Sequence, residues 1–367
     1  MRVIDTNAET SRILIMGQRA RALEKQTGKP FLMLHRGVNA VVNIDINEIA
    51  REIDFNSNDI QVYPGTPGME KLRTAISETY FFGNIDADKV LITPGGISAL
   101  DITFQNLQFD EVALPKFFWG SYAQLAQLRN RKVTTYPTLD YLIENPHLFS
   151  NQLVVVCDPG NPLGEKYLDA DILKVAECLN QENVTLLIDS PYRRVFTDHS
   201  DDFYAKLSAF KNVIVIDSFS KSMGLSGQRI GFMYSANADF IREAKQRILY
   251  ATNGVNAFAQ ELVYLLLATT QGKRVVEQFR SETKAHITKN IDFLINNNLL
   301  STEFYRNSKP LGIFACINKT EEELLENGIS AVSMSYFTLE RNTYDKHSRI
   351  CVSVPHRSFE KYFNRIL

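Results

Sequence analysis

Short apolar segments alternate with longer amphipathic ones over the first two thirds of the chain. The segments with the length and composition of strands are residues 89–93, 153–157, 184–188, 213–216 and 230–234. They are apolar at almost every position, which is typical of strands buried on both faces of a parallel sheet. The apolar spacing between them predicts helices over residues 69–80, 97–105, 170–180 and 238–251. This alternation predicts an α/β fold with right-handed crossovers over residues 45–255.

The pattern changes after about residue 258. A long helical region over residues 258–298 is followed by short strands near 312–318 and 350–354, which predicts a smaller α+β domain. The expected parts are an N-terminal arm that also joins the small domain, a large domain and a small C-terminal domain, over residues 1–40, 41–260 and 261–367.

Composition and charge limit the class of protein. The 367 residues include 40 Lys and Arg against 42 Asp and Glu, and 40 − 42 gives a formal charge of −2. With 44% hydrophobic and 22% charged residues, the chain has the composition of a soluble globular protein. The near-neutral charge argues against a nucleic-acid partner. The apolar run at residues 262–268 is far shorter than the ~20 residues that span a bilayer, so no membrane partner is expected.

The cysteines indicate a reducing compartment. Four of them are spread widely along the chain, without the spacing of a zinc site or a disulfide scaffold: Cys157, Cys178, Cys316 and Cys351. The N-terminal residues lack the charged-then-apolar order of a signal peptide. We therefore expect a cytoplasmic protein without a metal.

Polar or glycine-rich turns directly follow four of the predicted strands. These turns are Pro94-Gly95-Gly96, residues 158–164, Asp189-Ser190-Pro191-Tyr192 and residues 217–221. The carboxyl ends of parallel strands meet at one edge of a sheet, where open α/β sheets bind their ligands. The sequence therefore predicts one ligand site that combines glycines, an amide, a carboxylate, a phenol, two hydroxyls and an amine.

Lys221 stands out within the last of these turns. It follows Ser218 and Ser220 at a strand end and precedes Arg229. A partly desolvated lysine beside another cation has a lowered pKa and can form a Schiff base with a carbonyl group. The two hydroxyls and the guanidinium group are suitable donors to a phosphate dianion. The segment is thus poorly explained as a solvated surface loop.

These residues resemble those of the fold-type I pyridoxal-phosphate enzymes, in the class I/II aminotransferase family. The resemblance extends over nearly the whole chain and includes five motifs in the same order. It implies an α/β fold with a mostly parallel seven-stranded sheet flanked by helices, a smaller α+β domain, and pyridoxal 5′-phosphate as the cofactor. It also implies that Lys221 forms the Schiff base with the cofactor, and that Ser218, Ser220 and Arg229 bind its phosphate group.

Two further motifs match residues around the cofactor ring. Asp189, in Asp-x-x-Tyr, matches the carboxylate that keeps the ring nitrogen protonated, so that the ring accepts electrons. Tyr192 and Asn161 match the phenol and the amide that donate to the phenolic oxygen of the ring, and Asn161 also borders the substrate. Taken alone, Asp189 could instead cap a helix, and the Asn-Pro-x-Gly segment could be only a turn.

The remaining cofactor contacts implied by the resemblance are backbone amides and an aromatic ring. Gly96 and Ile97 follow a strand and begin a helix, where backbone amides bind anions, and they match the turn that binds the cofactor phosphate. A turn without a ligand is the alternative there. Phe117 matches the aromatic residue that stacks on the cofactor ring, although a core aromatic residue remains a competing interpretation.

Three more positions match residues for the substrate and for a second subunit. Tyr63 matches the tyrosine that reaches the phosphate in the neighbouring subunit, which implies a homodimer with shared active sites. Arg349 matches the arginine that binds the substrate α-carboxylate, and Gly37 matches a glycine whose backbone approaches that carboxylate. A surface cation is the alternative for Arg349. The residues after Gly37, Val38-Asn39-Ala40, depart from the usual acidic or Asn-Pro pattern.

The resemblance implies an aminotransferase that moves an amino group between an L-amino acid and a 2-oxo acid by a ping-pong mechanism through the Lys221 Schiff base. The same lysine, aspartate and arginine also serve lyases, decarboxylases and aminocyclopropane-carboxylate-synthase-like eliminating enzymes, so the motifs leave these reactions open. A non-catalytic protein that binds the cofactor is a third interpretation, which the intact Lys221 disfavours. A dehydrogenase is less favoured still, because no Gly-x-Gly-x-x-Gly follows a strand.

Overall fold

The computed structural model describes residues 1–3, 5–6, 8–306 and 308–367. Its strands are β1 Leu32–Met33, β2 Val90–Thr93, β3 Glu111–Pro115, β4 Lys132–Tyr136, β5 Gln152–Cys157, β6 Thr185–Asp189, β7 Val213–Ser218, β8 Gly231–Ser235, β9 Phe314–Ile317, β10 Ile329–Ser330, β11 Val332–Ser333 and β12 Ser348–Cys351. Its α-helices are α1 Arg12–Thr27, α2 Asn47–Arg51, α3 Asn58–Gln61, α4 Glu70–Phe81, α5 Gly96–Asn106, α6 Gly120–Leu128, α7 Leu139–Glu144, α8 Asp169–Gln181, α9 Arg193–Phe196, α10 Phe203–Leu207, α11 Phe219–Ser222, α12 Ala238–Thr252, α13 Ala257–Ala268, α14 Thr270–Asn296, α15 Glu321–Glu326 and α16 His356–Phe363.

A seven-stranded sheet forms the centre of the fold, with the strand order β2-β8-β7-β6-β5-β3-β4. Strands β3 to β7 pair in parallel, whereas β8 is antiparallel to both of its neighbours, β2 and β7. The predicted α/β fold with a mostly parallel, seven-stranded sheet is confirmed. The reversed direction of β8 could not be read from its apolar pattern, because a strand buried on both faces has the same composition in either direction.

Alternate residues of each central strand pack into two separate hydrophobic cores. In β5, Val154 and Val156 pack into the core on one face, with apolar residues of α4, α8 and α13. Leu153 and Val155 pack into the core on the other face, with residues of α5, α6 and α12. Side chains of a strand alternate between faces, so a run of apolar residues is what this two-sided burial requires.

The structure differs from the predicted elements at several places. Strands β3 and β4 were not predicted from the apolar pattern, and β4 is an edge strand with polar, partly exposed positions. The helical region predicted over residues 258–298 is two helices, α13 and α14, separated at Thr269. The Thr269 hydroxyl accepts a hydrogen bond from the Gly272 amide at 3.0 Å and so begins the second helix. The last strand, β12, lies earlier than the predicted residues 350–354.

Two smaller sheets accompany the C-terminal part of the chain. Strands β11, β12 and β9 form an antiparallel sheet, and β1 pairs in parallel with β10. The N-terminal strand β1 thus joins the C-terminal part of the chain, in a core that it shares with α14 and α16. The proposed division at residues 40 and 260 stays a prediction. No helix in the described part of the chain is both long enough and apolar enough to cross a bilayer.

We expect Gly164→Ala to lower the free energy of unfolding by about 3 kcal/mol, from left-handed strain together with steric overlap. Gly164 has a φ of +68°, and a Cβ atom there would overlap the carbonyl oxygen of Phe314 in β9. Gly28 is the matched control, since its φ is +66° and no atom lies within 4 Å of the added Cβ. Gly28→Ala should cost only about 1 kcal/mol. Urea unfolding followed by circular dichroism compares the two variants, and equal losses would contradict the expected overlap at Gly164.

Candidate active site

The carboxyl edge of the seven-stranded sheet brings most of the predicted site residues together. Asp189 and Ser218 are the last residues of the neighbouring strands β6 and β7, and Lys221 lies one helical turn further on, in α11. Asn161 lies in the turn after β5, which pairs with β6. The parallel register of these strands therefore places the four residues at one edge, as the strand-end turns predicted.

A glycine turn and a guanidinium group form one wall of this site. Gly95, with a φ of +82°, precedes α5, and a Cβ atom added to it would lie 2.8 Å from Nη2 of Arg229. A Cβ atom added to Gly96 would lie 3.5 Å from the Cβ atom of Ser218. The Ser218 hydroxyl donates to the Ser220 hydroxyl at 2.9 Å. Backbone amides at the start of α5, two hydroxyls and a guanidinium group therefore converge, and Ile97 follows in the first turn of α5.

Arg229 has the left-handed backbone conformation, with a φ of +53°. This conformation is uncommon for a residue with a side chain, and it persists only where the surrounding structure holds it. The Arg229 Nη1 atom donates to the carbonyl oxygen of Ser226 at 3.0 Å, which fixes the guanidinium group against the Gly95 turn. The strained position thus coincides with the place where an anion would be held.

The amine of Lys221 is held in a largely desolvated, cationic environment. Burial lowers the pKa of Lys221 to about 8. The Cys351 thiol opposes this shift, and the positive charges of Arg36, Arg229 and Arg349 reinforce it. At this pKa about a tenth of the amine is neutral, and so nucleophilic, at pH 7, a far larger share than for an ordinary lysine.

Asp189 is buried and accepts a hydrogen bond from a residue that the sequence did not reveal. The hydroxyl of Tyr122, in α6, donates to Oδ2 of Asp189. Burial raises the pKa of Asp189 to about 6, and the Tyr122 hydrogen bond acts in the opposite direction. Within the described part of the chain, Oδ1 of Asp189 has no hydrogen-bond partner.

Arg349 is fully buried in β12, so it is not a surface cation. Its Nη1 atom donates to Oδ1 of Asn161 at 3.3 Å, and its Nη2 atom donates to the carbonyl oxygen of His35. The guanidinium carbon lies 4.4 Å from the ring centroid of Phe314 and 4.9 Å from that of Phe337. Burial lowers the pKa of Arg349 to about 10. Among the described residues, its buried Nε atom has no partner, which leaves donor capacity for a ligand.

Gly37 and Tyr192 both contact Phe314, the aromatic residue beside this arginine. A Cβ atom added to Gly37 would overlap the Phe314 ring, so only a glycine allows the chain to pass this closely. The Tyr192 ring packs edge-on against Phe314, with centroids 5.4 Å apart. The two predicted residues thus lie around the Arg349 stack.

Two of the predicted residues differ from the rest in position, since Phe117 lies at the margin of the cluster and Tyr63 lies apart from it. Phe117 is half-buried and packs edge-on against Phe304 and Tyr344, with centroids 5.1 and 5.0 Å away, and it borders a cavity of about 20 Å³ with Asn161. Tyr63 is 81% exposed and lines grooves on a surface to which no other predicted site residue contributes. The chain by itself does not bring Tyr63 to the cluster.

A buried ion cluster beside the site was not predicted from the sequence. Arg193 donates to Asp169 at 2.6 and 2.9 Å and to Asp201 at 2.6 and 2.8 Å, and it lies 3.3 Å from Oδ2 of Asp158. Lys166 pairs with the same Asp158 oxygen at 2.9 Å. The cluster connects the loop after β5 to the loop after β6. In the part of the chain that the structure describes, no group of three or more His, Cys, Asp or Glu is placed to hold a metal ion.

A comparison of the sequence with known families identifies the chain. The profile of the family described as "Aminotransferase class I and II" matches residues 38–366. The chain belongs to this family. Members of the aminotransferase class I and II family depend on pyridoxal phosphate, so the cofactor implied by the sequence motifs is that of the family.

Individual aminotransferases are similar to parts of the sequence and to the whole fold. The aspartate aminotransferase of Pyrococcus horikoshii is 27% identical over 234 residues, which are 60% of this chain and 59% of that protein. The histidinol-phosphate aminotransferase of Microcystis aeruginosa is 31% identical over 208 residues, 55% of this chain and 57% of that protein. The chain thus spans less than two thirds of the length of these relatives.

Among solved structures, the aspartate aminotransferase of Thermus thermophilus with maleate superposes with a TM-score of 0.85. The superposition covers 100% of this chain and 99% of that one, at 19% sequence identity. At this identity the superposition shows a shared fold and leaves the choice of substrate open.

The residues at the sheet edge fit the cofactor of the family. The Gly95 turn leaves a space against Arg229 that a side chain would fill, and the donors around it suit a phosphate group. The unpaired Oδ1 atom of Asp189 suits a protonated ring nitrogen, and the readily deprotonated amine of Lys221 suits an aldehyde. Each part of pyridoxal phosphate therefore has a chemically matching group in this chain.

In the protein freed of cofactor, we expect the amine of Lys221 to titrate near pH 8, because burial and nearby cations disfavour its charged form. The amine should be mostly charged below this pH and mostly neutral above it. Reductive ¹³C-methylation makes lysine amines visible by NMR, and Lys221→Ala assigns the signal. Lys174, an exposed lysine paired with Glu177 at 2.8 Å, is the reference, because its pKa is raised.

Arg36 provides a direct test of the electrostatic part of this shift. Its side chain is exposed, so Arg36→Gln removes a positive charge with little effect on packing. The pKa of Lys221 should therefore rise in this variant. An unchanged titration would contradict the contribution of the Arg36 charge.

Proposed function

We propose that this chain is a pyridoxal-phosphate-dependent aminotransferase, which moves an amino group between an L-amino acid and a 2-oxo acid by a ping-pong mechanism. The observation that carries this proposal is the convergence of three largely desolvated groups, Lys221, Asp189 and Arg349, beside the Gly95 turn. The match of the family profile and the names of the relatives support it.

In this proposal, a set of donors anchors the phosphate group and another set holds the ring. The groups assigned to the phosphate are the hydroxyls of Ser218 and Ser220, the guanidinium group of Arg229 and the amides of Gly96 and Ile97. The groups assigned to the ring are the carboxylate of Asp189 at the nitrogen, Asn161 and Tyr192 at the phenolic oxygen, and Phe117 at one face. Bound pyridoxal phosphate supplies an aldehyde that condenses with amines and a ring that withdraws electrons from the neighbouring carbon.

Lys221 is the proposed general base and acid. Its deprotonated Nζ atom would accept the proton from the α-carbon of the amino acid and deliver it to the aldehyde carbon of the cofactor, and the reverse transfer would serve the second half-reaction. The pKa of about 8 suits this role, because a group that titrates near the working pH both accepts and releases protons readily. Before the substrate arrives, the same amine is the attachment point of the cofactor.

Arg349 is the proposed anchor for the α-carboxylate. The guanidinium group is fixed between Phe314 and Phe337, and a planar fork of donors in a dry site binds a carboxylate strongly. A side chain at position 37 would overlap the Phe314 ring that packs against Arg349. Amino acids and 2-oxo acids both carry an α-carboxylate, so one arginine serves both half-reactions of a ping-pong cycle.

We expect Lys221→Ala to lower the rate of amino-group transfer by about a thousandfold or more, because it removes both the attachment point and the proton carrier. Lys174→Ala, at an exposed lysine, is the matched control and should leave the rate unchanged. The measurement follows ¹⁵N from a panel of L-amino acids into an added 2-oxo acid. Borohydride reduction and mass spectrometry should also locate the cofactor on the Lys221 peptide of the wild-type protein.

The same assay separates the alternative reactions. Release of ammonia, pyruvate or carbon dioxide without a 2-oxo acid acceptor would replace the proposal by a lyase or a decarboxylase. Cofactor bound at Lys221 without turnover of any amino acid would indicate a non-catalytic binding protein. Transfer that continues in Lys221→Ala would contradict the assigned role of the lysine.

We further propose a symmetric homodimer in which Tyr63 reaches the phosphate of the neighbouring site. Two large side chains that line the same groove support it, since Tyr63 and Val62 are 81% and 57% exposed. Exposed apolar and aromatic clusters of this kind mark interaction surfaces. The free thiols of all four cysteines support a reducing compartment, for which we propose the cytoplasm.

Mixed dimers test the position of Tyr63. Sedimentation should give twice the chain mass of 41.8 kDa. A dimer with Lys221→Ala in one subunit and Tyr63→Phe in the other should keep one site with wild-type affinity for the cofactor. Both sites of the Tyr63→Phe homodimer should bind it about tenfold more weakly, because a hydrogen bond to a charged phosphate is lost. The exposed Tyr141 supplies the control, Tyr141→Phe. A mixed dimer without a wild-type site would place Tyr63 at its own subunit's phosphate.

A further inference from the structure

The pair formed by Tyr122 and Asp189 is the starting point. Tyr122 is only 1% exposed, and its hydroxyl donates to Oδ2 of Asp189 from the helix that follows β3. The same hydroxyl lies beside the Cys157 thiol, and the ring packs edge-on against Trp119 with centroids 5.5 Å apart. The phenol therefore has a fixed place, and it is aimed at the carboxylate rather than at solvent.

Among the residues that the structure describes, no cation pairs with the carboxylate of Asp189. The ionisable groups that face it are the hydroxyl of Tyr122 from α6, the thiol of Cys157 from β5 and the hydroxyl of Tyr192 from the loop before α9. Burial raises the pKa of Asp189 to about 6, and the hydrogen bond from Tyr122 is the interaction that lowers it. Removing this donor would leave a buried carboxylate with its desolvation cost and no compensation.

We propose that Tyr122 is a positioning residue, which keeps the carboxylate of Asp189 ionised and turns its Oδ1 atom toward the ring nitrogen of pyridoxal phosphate. This inference rests on the proposed function. Because the phenol occupies Oδ2, Oδ1 is the oxygen that remains for the ring nitrogen. An ionised carboxylate stabilises a protonated ring nitrogen, whereas a neutral carboxylic acid does not. Tyr122 thus controls the electron demand of the ring without touching the cofactor.

Cofactor affinity with two ligands tests the proposal. The ligands are pyridoxal phosphate and an analogue in which a C–H group replaces the ring nitrogen, each added to protein from which the cofactor has been removed. Tyr122→Phe should weaken the binding of pyridoxal phosphate by about tenfold, the effect of losing a hydrogen bond to a charged group. It should change the binding of the analogue by less than about twofold, because the analogue has no nitrogen for Asp189 to hold.

A merely structural role for Tyr122 predicts a different result. A distorted site would bind both ligands more weakly and by the same factor, which would overturn the proposal, as would unchanged binding of pyridoxal phosphate. Tyr136→Phe is the matched control, because it removes another buried hydroxyl, one that donates to the carbonyl oxygen of Val155 at 2.8 Å. This control should leave both affinities as they are in the wild type.

The Asp189→Asn background provides the second measurement. Without the carboxylate charge, adding Tyr122→Phe should weaken the binding of pyridoxal phosphate no further, since the two residues act through one another. Equal losses in both backgrounds would overturn the proposal. A wild-type protein that binds neither ligand would remove the proposed function as well. A wild-type protein that transfers amino groups while Tyr122→Phe binds both ligands normally would remove only the role of Tyr122.

Discussion

The removal of water from charged side chains at one edge of the sheet is the constraint on which the site depends. Burial shifts the pKa values of Lys221, Asp189 and Arg349 in the direction that favours the neutral form of each. These three groups are thus electrostatically incomplete within the chain. Ligands that bring an aldehyde, a protonated ring nitrogen and a carboxylate would supply the missing partners, so the cost of desolvating these three groups favours the binding of such ligands.

The ion cluster around Arg193 shows the opposite arrangement a short distance away. Burial acts against its charge, but the hydrogen bonds with Asp169 and Asp201 outweigh it and raise the pKa of Arg193. Asp169 and Asp201 in turn have lowered pKa values, whereas burial raises the pKa of Asp158 despite its pairing with Lys166. This cluster is complete without a ligand and holds two site loops in place. The same edge of the sheet therefore combines paired charges that fix the backbone with unpaired ones that remain for binding.

The sequence was most informative where local order and chemistry coincide. Strand-end turns follow from apolar runs that end in Asp, Ser or Gly, so the gathering of Asp189, Ser218 and Lys221 at one edge was predictable from topology alone. The contact between Tyr122 and Asp189 was not predictable, because nothing in the spacing of these residues indicates that α6 lies against the end of β6. The burial of Arg349 depends on the register of β12, which a four-residue strand does not encode in its own pattern.

The departure at residues 38–40 from the usual family pattern has a structural explanation. Asn39 donates to the Thr283 hydroxyl of α14 at 2.9 Å and accepts from the Ser353 hydroxyl at 3.0 Å. The Ala40 amide donates to the carbonyl oxygen of Ser353 at 2.9 Å. These hydrogen bonds hold the N-terminal segment against the residues that follow β12. In the same segment, the carbonyl oxygen of His35 accepts a hydrogen bond from Arg349. The contacts of Asn39 and Ala40 therefore also fix the wall against which a substrate carboxylate would lie. Asn39 here serves to hold that wall in place, because both polar atoms of its partly buried amide are hydrogen-bonded.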